Sequence, residues 1–304
     1  MNSPITGNAN VTEVDTLDVK TLSAKYKEEF DIDVEKYFRG LSSISIYECN
    51  ATGYRFYYPF HIIGDASLYE QLQKRMGDHY YPRWKFENDV ARLAIQKDDT
   101  ILDIGCGDGV FLARIKAEMP DVKVTGIEFN QMAIDKCKAK GINVFNETIE
   151  SFSAKGHTFD VVTMFQVLEH IQEIKPFLDA AIKVLRPGGK LVIGVPHSNP
   201  YLFVDRKYDA LNCPPHHMGL WNSKAFNSLA VYFPIELSGL QVDPEIKVKN
   251  YVVKTDTAIL KLQLKNKLIR SVVYRLLKLK NMLFSKGGYL VLPGHTIVAV
   301  FTKK

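Results

Sequence analysis

The chain has 304 residues, 46% of them hydrophobic, and a formal net charge of +5, which is enough to bury a substantial core in one large domain or two modest ones. No window of about 18 or more uninterrupted apolar residues occurs, and Met1 to Val11 lack the basic-then-apolar pattern of a secretory signal, so a cytosolic globular protein is expected. Cys49, Cys106, Cys137 and Cys213 include no Cys-x-x-Cys pair, which argues against both a disulfide framework and a zinc knuckle.

Residues 1 to about 40 are polar, with Leu17, Val19, Leu22 and Tyr26 spaced for one short amphipathic helix. Ile44 to Cys49 and Tyr54 to Tyr58 are β-rich runs around Asn50-Ala51-Thr52-Gly53 and predict a small hairpin. Asp65 to Tyr80 reads as a helix with Leu68, Leu72 and Met76 on one face. Residues 1–78 are thus expected to form an N-terminal extension or lid, and 79–304 the main domain.

From Asp99 short apolar runs alternate with amphipathic stretches, the pattern of β-α-β units and a parallel sheet. Strands are predicted at Ile101–Ile104, Val122–Glu128, Ile142–Phe145, Phe159–Met164 and Lys190–Val195, with helices over Val110–Met119, Met132–Ala139 and Ile174–Leu185. The last of these helices is broken by Pro187-Gly188-Gly189. Asn222-Ser223 starts a further helix, and His295 to Phe301 is a closing strand. The segment Lys247 to Lys286 holds eleven Lys or Arg against one acid, so the remainder of the chain carries about −5. Within it, apolar residues at 262, 269, 272, 276, 279 and 283 predict a basic amphipathic helix inserted before the last strand, at about 256–286. That helix packs on the core with a solvated lysine face, lies on an anionic membrane through 260–284, or meets an acidic partner. Its lysines are not interleaved with stacking aromatics, apart from Tyr274, so no nucleic-acid partner is expected.

A strand leading into Gly105-x-Gly107-x-Gly109 and then a helix is a turn at which a ligand approaches the backbone with no Cβ in the way. The third glycine comes one residue earlier than in the dinucleotide fingerprint, and Asp108 stands inside the loop. An acid there repels phosphate and suits a cationic or zwitterionic ligand, such as a sulfonium with an amino-acid tail. Glu128 ends the next strand, 19 residues after Gly109, where a carboxylate can accept from both ribose hydroxyls.

Ile101-Leu102-Asp103-Ile104-Gly105-Cys106-Gly107-Asp108-Gly109, Phe159-Asp160-Val161-Val162, Val167-Leu168-Glu169-His170 and Leu185-Arg186-Pro187-Gly188-Gly189, in this order, resemble the class I S-adenosylmethionine-dependent methyltransferases. The likeness covers roughly residues 80 to 245 and the last strand. It implies a doubly wound, mostly parallel seven-stranded α/β sheet with helices on both faces, and S-adenosylmethionine as cofactor. It further implies Asp103 and Gly105 at the methionine end, Gly107 beneath the cofactor, Glu128 on the ribose and Phe129 beside the adenine. Thr148 and Ile149 would bracket that ring, and Phe165 and Gln166 would border the transferable methyl.

Candidate bases are His170 and the pair His216-His217 in the Pro-Pro-held segment Cys213 to Trp221, since imidazole titrates near neutrality. In the small-RNA 3′-end 2′-O-methyltransferases a Glu-x-x-Glu-His run and a later His bind a divalent metal. Here Gln166 replaces the first acid before Glu169 and His170, and the loss of that charge leads to the expectation of no metal. The ubiquinone-pathway O-methyltransferases share the Leu-Glu-His layout. Tyr47 to Pro59, Tyr80 to Glu87 and Pro214-Pro215-His216-His217 through Trp221 resemble bacterial methyltransferases of surface-polysaccharide and secondary-metabolite pathways, with Tyr80, Tyr81 and Trp84 as a lid or as a cover packed on the sheet. The expected activity is O-methylation of a small-molecule or glycan acceptor. The alternatives are a lipid-quinone or polyketide acceptor met at a membrane, and an inactive scaffold that binds an adenosyl nucleoside.

Overall fold

The computed structural model describes residues 1–77, 84–198, 209–243 and 295–304, together with the backbone pairing of 246–247 and 291–292. The segment predicted as a basic helix, and Tyr80 and Tyr81, lie outside the described residues.

The strands are β1 (Val11–Asp18), β2 (Ser43–Cys49), β3 (Arg55–Tyr58), β4 (Thr100–Ile104), β5 (Lys123–Ile127), β6 (Asn143–Phe145), β7 (Phe159–Phe165), β8 (Leu185–Pro196), β9 (Gly219–Leu220), β10 (Ile235–Val242), β11 (Ile246–Lys247), β12 (Val291–Leu292) and β13 (Thr296–Lys303). The described helices are α1 (Val19–Phe30), α2 (Ala66–Met76), α3 (Phe86–Ala94), α4 (Val110–Glu118), α5 (Gln131–Ala139), α6 (Ile149–Ser153), α7 (Ile174–Lys183) and α8 (Ser223–Tyr232).

The main sheet has the order β10-β13-β8-β7-β4-β5-β6. The run β8-β7-β4-β5-β6 is parallel, and β13 is antiparallel to both of its neighbours. This is the expected seven-stranded class I methyltransferase architecture. Alternation along the strands splits its core in two. Leu102, Ile104, Val162, Met164, Leu191, Ile193 and Phe301 face α6, α7 and α8. Ile101, Val161, Val192 and Val298 face α3, α4 and α5. The predicted break at Pro187-Gly188-Gly189 falls inside β8: the register passes from Phe159 opposite Leu185 to Val161 opposite Lys190, so the turn is an excursion from the strand. Asp160 closes that excursion by accepting from the Thr100 amide and hydroxyl and from Arg186.

The N-terminal residues build a second sheet, β1-β2-β3-β9. The predicted hairpin is β2 and β3, with Ser45 opposite Tyr58. The remaining strand, β9, comes from the segment between β8 and α8, and pairs Arg55 with Leu220 and Phe56 with Gly219. The extension and residues 210–220 therefore share one core, in which Leu17, Leu22, Tyr26, Tyr57, Leu68 and Leu72 pack with Ala210, Cys213, Met218 and Leu220. Asp18 starts α1 by accepting the Thr21 amide at 2.7 Å, and Asn222 starts α8 by accepting the Ala225 amide at 2.9 Å.

Tyr26, fully buried, donates its hydroxyl toward the carbonyls of Ala210 and Cys213. Tyr57 donates to the carbonyl of Asn212 at 3.1 Å. Tyr26→Phe removes a buried hydroxyl that donates to both carbonyls and is expected to cost about 1–2 kcal/mol. A melting temperature lower by about 2–4 °C per kcal/mol would register it; an unchanged melt would show that this hydroxyl does not hold the segment.

Candidate active site

One cleft of about 2080 Å³ opens at the C-terminal ends of β4, β5 and β7, the edge at which open α/β sheets bind ligands. It exceeds the ~300–1,000 Å³ of a one-ligand pocket and has room for a nucleoside and an acceptor together. Asp103, Gly105, Gly107, Glu128, Phe129, Thr148, Ile149, Phe165 and Gln166, and likewise His170, His216 and His217, all line it.

The loop between β4 and α4 carries Gly105, Gly107 and Gly109 at φ of 71°, 54° and 74°, backbone that L side chains rarely adopt. A Cβ on Gly105 would lie 2.5 Å from Val167 Cγ2, and one on Gly109 would lie 2.8 Å from Cys137 Sγ. Gly107 donates its amide to Glu128 Oε2 at 2.9 Å, while the Phe129 and Asn130 amides donate to Oε1 at 2.7 and 2.8 Å. The Glu128 carboxylate is thereby locked at the tip of β5 with oxygen lone pairs to spare. Phe129 is 61% exposed at the rim, an apolar face offered to solvent. Thr148 caps α6 by accepting the Ser151 amide at 3.2 Å, and Ile149 is buried behind it. Asp108 lies 3.7 Å from Lys140 Nζ, so part of the charge read from the sequence is offset locally.

Asp103 is 2% exposed. Burial pushes its carboxyl up to about 7, the Thr163 hydroxyl donating at 2.7 Å pulls it back, and the nearby Glu128 charge raises it further.

On the strand paired with β4, Phe165 ends β7, set edge-to-face on Phe111 with centroids 5.0 Å apart. Gln166 follows at φ 55°, a conformation uncommon for a residue other than glycine and found at sites where function demands it. Its side-chain amide donates to Glu87 Oε1 at 3.3 Å. Glu87 is buried and lines the cleft, and its other oxygen has no hydrogen-bond partner. Burial raises its pKa, with the Lys85 charge opposing. No role was read for it from the sequence. The available signal was an acid on the helical stripe formed with Val90, Ala91 and Ala94.

His170 follows in the 3-10 turn after β7, and His216-His217 approach it from the loop that the N-terminal sheet holds. The three rings lie with centroids 4.6 Å apart in every pair. Burial pushes His170 down to about 4 and His216 to about 3, and takes His217 well below its usual value. All three are neutral at physiological pH, with lone pairs available. Glu169 beside them is 1% exposed, and burial pushes it up to about 8. Trp84 does not line the cleft: it packs on Phe111 under the Arg114 guanidinium and donates to Asp89 at 2.7 Å. Of the two sequence readings for this residue, its position is that of a cover.

Residues 78–231, half of the chain, match the family model described as a methyltransferase domain. The chain belongs to that family. A ubiquinone biosynthesis O-methyltransferase of Cereibacter sphaeroides (strain KD131) is 30% identical over 124 residues, covering 39% of this chain and 50% of that protein. Another, from Saccharophagus degradans, is 32% identical over 130 residues, covering 40% of this chain and 53% of that protein. The chain thus spans about half the length of these curated relatives. Among solved structures, a SAM-dependent methyltransferase from Geobacter sulfurreducens in complex with S-adenosyl-L-homocysteine is 15% identical with a TM-score of 0.43, over 72% of this chain and 90% of that one. Among the described residues no helix is long and apolar enough to cross a membrane.

Proposed function

We propose that the protein transfers a methyl group from S-adenosylmethionine to a hydroxyl of a small-molecule or glycan acceptor. One observation carries this reading: a left-handed glycine cradle with a locked carboxylate shares a single cleft with a buried cluster of proton-accepting and lone-pair groups. The residues fit the cofactor. Asp103 would meet its ammonium group, Gly105 and Gly107 would let its backbone-facing edge approach, and Glu128 would accept from the ribose hydroxyls. Phe129, Thr148 and Ile149 would surround the adenine. Bound there, it supplies an electrophilic methyl whose C–S electron pair returns to sulfur as the new O–C bond forms.

The remaining task of the protein is alignment in a dry site. Phe165 and Gln166 would border the methyl, and the acceptor hydroxyl would approach from the side of Glu169, His170, His216 and His217, with His216 or His217 taking up its proton. A second reading, a lipid-quinone acceptor, is supported by the names of the curated relatives; on that reading the protein works as a peripheral protein at the cytoplasmic membrane face. Sedimentation with anionic vesicles separates the two: protein that stays wholly in the supernatant counts against the membrane.

The cofactor assignment also sets a pH dependence. An ammonium group binds the ionised form of Asp103, whose pKa stands at about 7 in the free protein. Affinity for S-adenosylhomocysteine is therefore expected to fall as the pH drops from 7 to 5.5, approaching about tenfold per unit. Asp103→Asn should flatten that profile and weaken binding about 10- to 100-fold at pH 7.5, the worth of a charge-assisted hydrogen bond. Calorimetric titration at several pH values checks both; an Asn variant with the wild-type profile would remove Asp103 from the site.

A further inference from the structure

We propose that His170, His216 and His217, with Glu169 beside them, form a binding site for a divalent transition-metal ion of the zinc class. The site claim stands on side-chain geometry alone; only the role given to the ion rests on the methyl-transfer reading above.

Each of the three histidines offers a ring nitrogen, and these nitrogens all lie within 4.8 Å of one another. Two of the rings are already oriented as ligands are. His170 Nδ1 meets the carbonyl of His216 at 2.7 Å, and His216 Nδ1 meets the carbonyl of Leu211 at 2.9 Å. A carbonyl only accepts, so in both rings Nδ1 carries the proton and Nε2 keeps its lone pair. Backbone carbonyls fixing the tautomer of liganding imidazoles are the usual outer support of such a site.

The second, independent observation is Glu169. It is almost wholly buried, and neither of its carboxylate oxygens has a hydrogen-bond partner. Its Oε1 stands 4.0 Å from His170 Nε2 and 3.9 Å from His217 Nε2. These separations are beyond hydrogen-bonding range, but they suit two donors on opposite flanks of one ion, each about 2.0–2.2 Å from it. A cluster that only filled space would leave a buried carboxyl with neither oxygen satisfied, an unfavourable and uncommon state. A bound cation relieves it.

The loop is held in place before any ion arrives. The amides of His216 and His217 both donate to the Cys213 carbonyl at 3.1 Å, Gly64 donates to the Pro215 carbonyl at 2.7 Å, and Met218 donates to the Glu169 carbonyl at 2.8 Å. Three imidazole nitrogens favour zinc, cobalt or iron over magnesium, which prefers all-oxygen shells. They also leave a coordination position open toward the cleft. On the methyl-transfer reading that position would take the acceptor oxygen facing Phe165 and Gln166; an ion there would occupy the imidazole lone pairs, so it would acidify the hydroxyl itself in place of proton uptake by His216 or His217.

The test uses the full chain with any affinity tag removed, stripped with chelator and then titrated with ZnCl2 or CoCl2. Metal content by mass spectrometry should reach about one equivalent per chain. The cobalt form should show visible absorption bands of a four- or five-coordinate site. His216→Ala and His217→Ala should each weaken zinc binding by about 100-fold or more, beyond the 10- to 100-fold of an outer-shell change. His216→Gln, closer in volume to imidazole, covers the case in which alanine prevents folding. S-adenosylhomocysteine is titrated into the same samples. Less than about a tenth of an equivalent of metal in protein that still binds the nucleoside would overturn the site and leave the methyl-transfer reading standing. Retention of the cobalt bands by the folded His216 and His217 variants would also overturn it. Metal binding without nucleoside binding would support the site and count against the cofactor reading.

Discussion

Gly107→Leu is expected to abolish detectable binding of S-adenosylhomocysteine, a loss of about 100-fold or more, in a protein that still melts cooperatively. Gly107 lies at φ 54° on the floor of the cleft. A leucine there costs about 1–2 kcal/mol of backbone strain, a drop of a few degrees in melting temperature in a chain of this size. Its larger effect is steric, because the side chain would stand where the nucleoside must approach the backbone. Its amide is also one of three that fix the Glu128 carboxylate, so a loop that relaxes to relieve strain displaces the ribose acceptor too. Calorimetry on wild type and variant checks this; equal affinity would remove the glycine loop from cofactor binding.

Replacing His216 and His217 together by alanine is expected to lower the transfer rate by about 100-fold or more, with S-adenosylhomocysteine affinity within a few-fold of wild type. The two rings line the same cleft as the glycine loop, stacked on each other at 19° and packed against His170. They belong to a loop pinned by Tyr26, Tyr57 and Gly64. Single-turnover rates beside binding titrations separate the roles. A loss confined to kcat places the pair at the acceptor, whereas unchanged turnover would place proton removal elsewhere.

How much of this was legible from the residues depended on burial and on chain distance. The parallel strands β4, β5, β7 and β8 were read because a strand covered on both faces is a continuous apolar run, as in Ile101-Leu102 or Val161-Val162. β1 was not read. Among its eight residues only Leu17 is buried, so Val11 to Asp18 resemble a polar tail. β10 carried a usable signal, Ile235, Leu237, Leu240 and Val242, but its alternation slips by one at the bulge between Leu237 and Gly239. β9, two residues long, exists only because β3 lies ready to pair with it, and no local pattern announces that.

The site followed the same division. The cofactor-side residues were found by spacing within single motifs, and they meet in one cleft. Glu87 is not assigned a role from the sequence, because a glutamate is assumed solvated until packing shows it buried, and Glu169 is read only as a member of the run in which Gln166 replaces the first acid. The three histidines were named individually, but their convergence needs the N-terminal sheet to carry residues 216 and 217 across to 170. The expectation of no metal was drawn from the missing acid at Gln166; the structure brings a third imidazole, His216, to the cluster instead.

The most direct test of methyl transfer is incubation of the protein with methyl-labelled S-adenosylmethionine and fractionated cell extract, followed by mass analysis of products. Methyl transfer predicts S-adenosylhomocysteine formed in equal amount to a product heavier by one methyl on oxygen, with both absent for Gly107→Leu. Cofactor that binds the wild-type protein tightly but is never turned over with any fraction would contradict it.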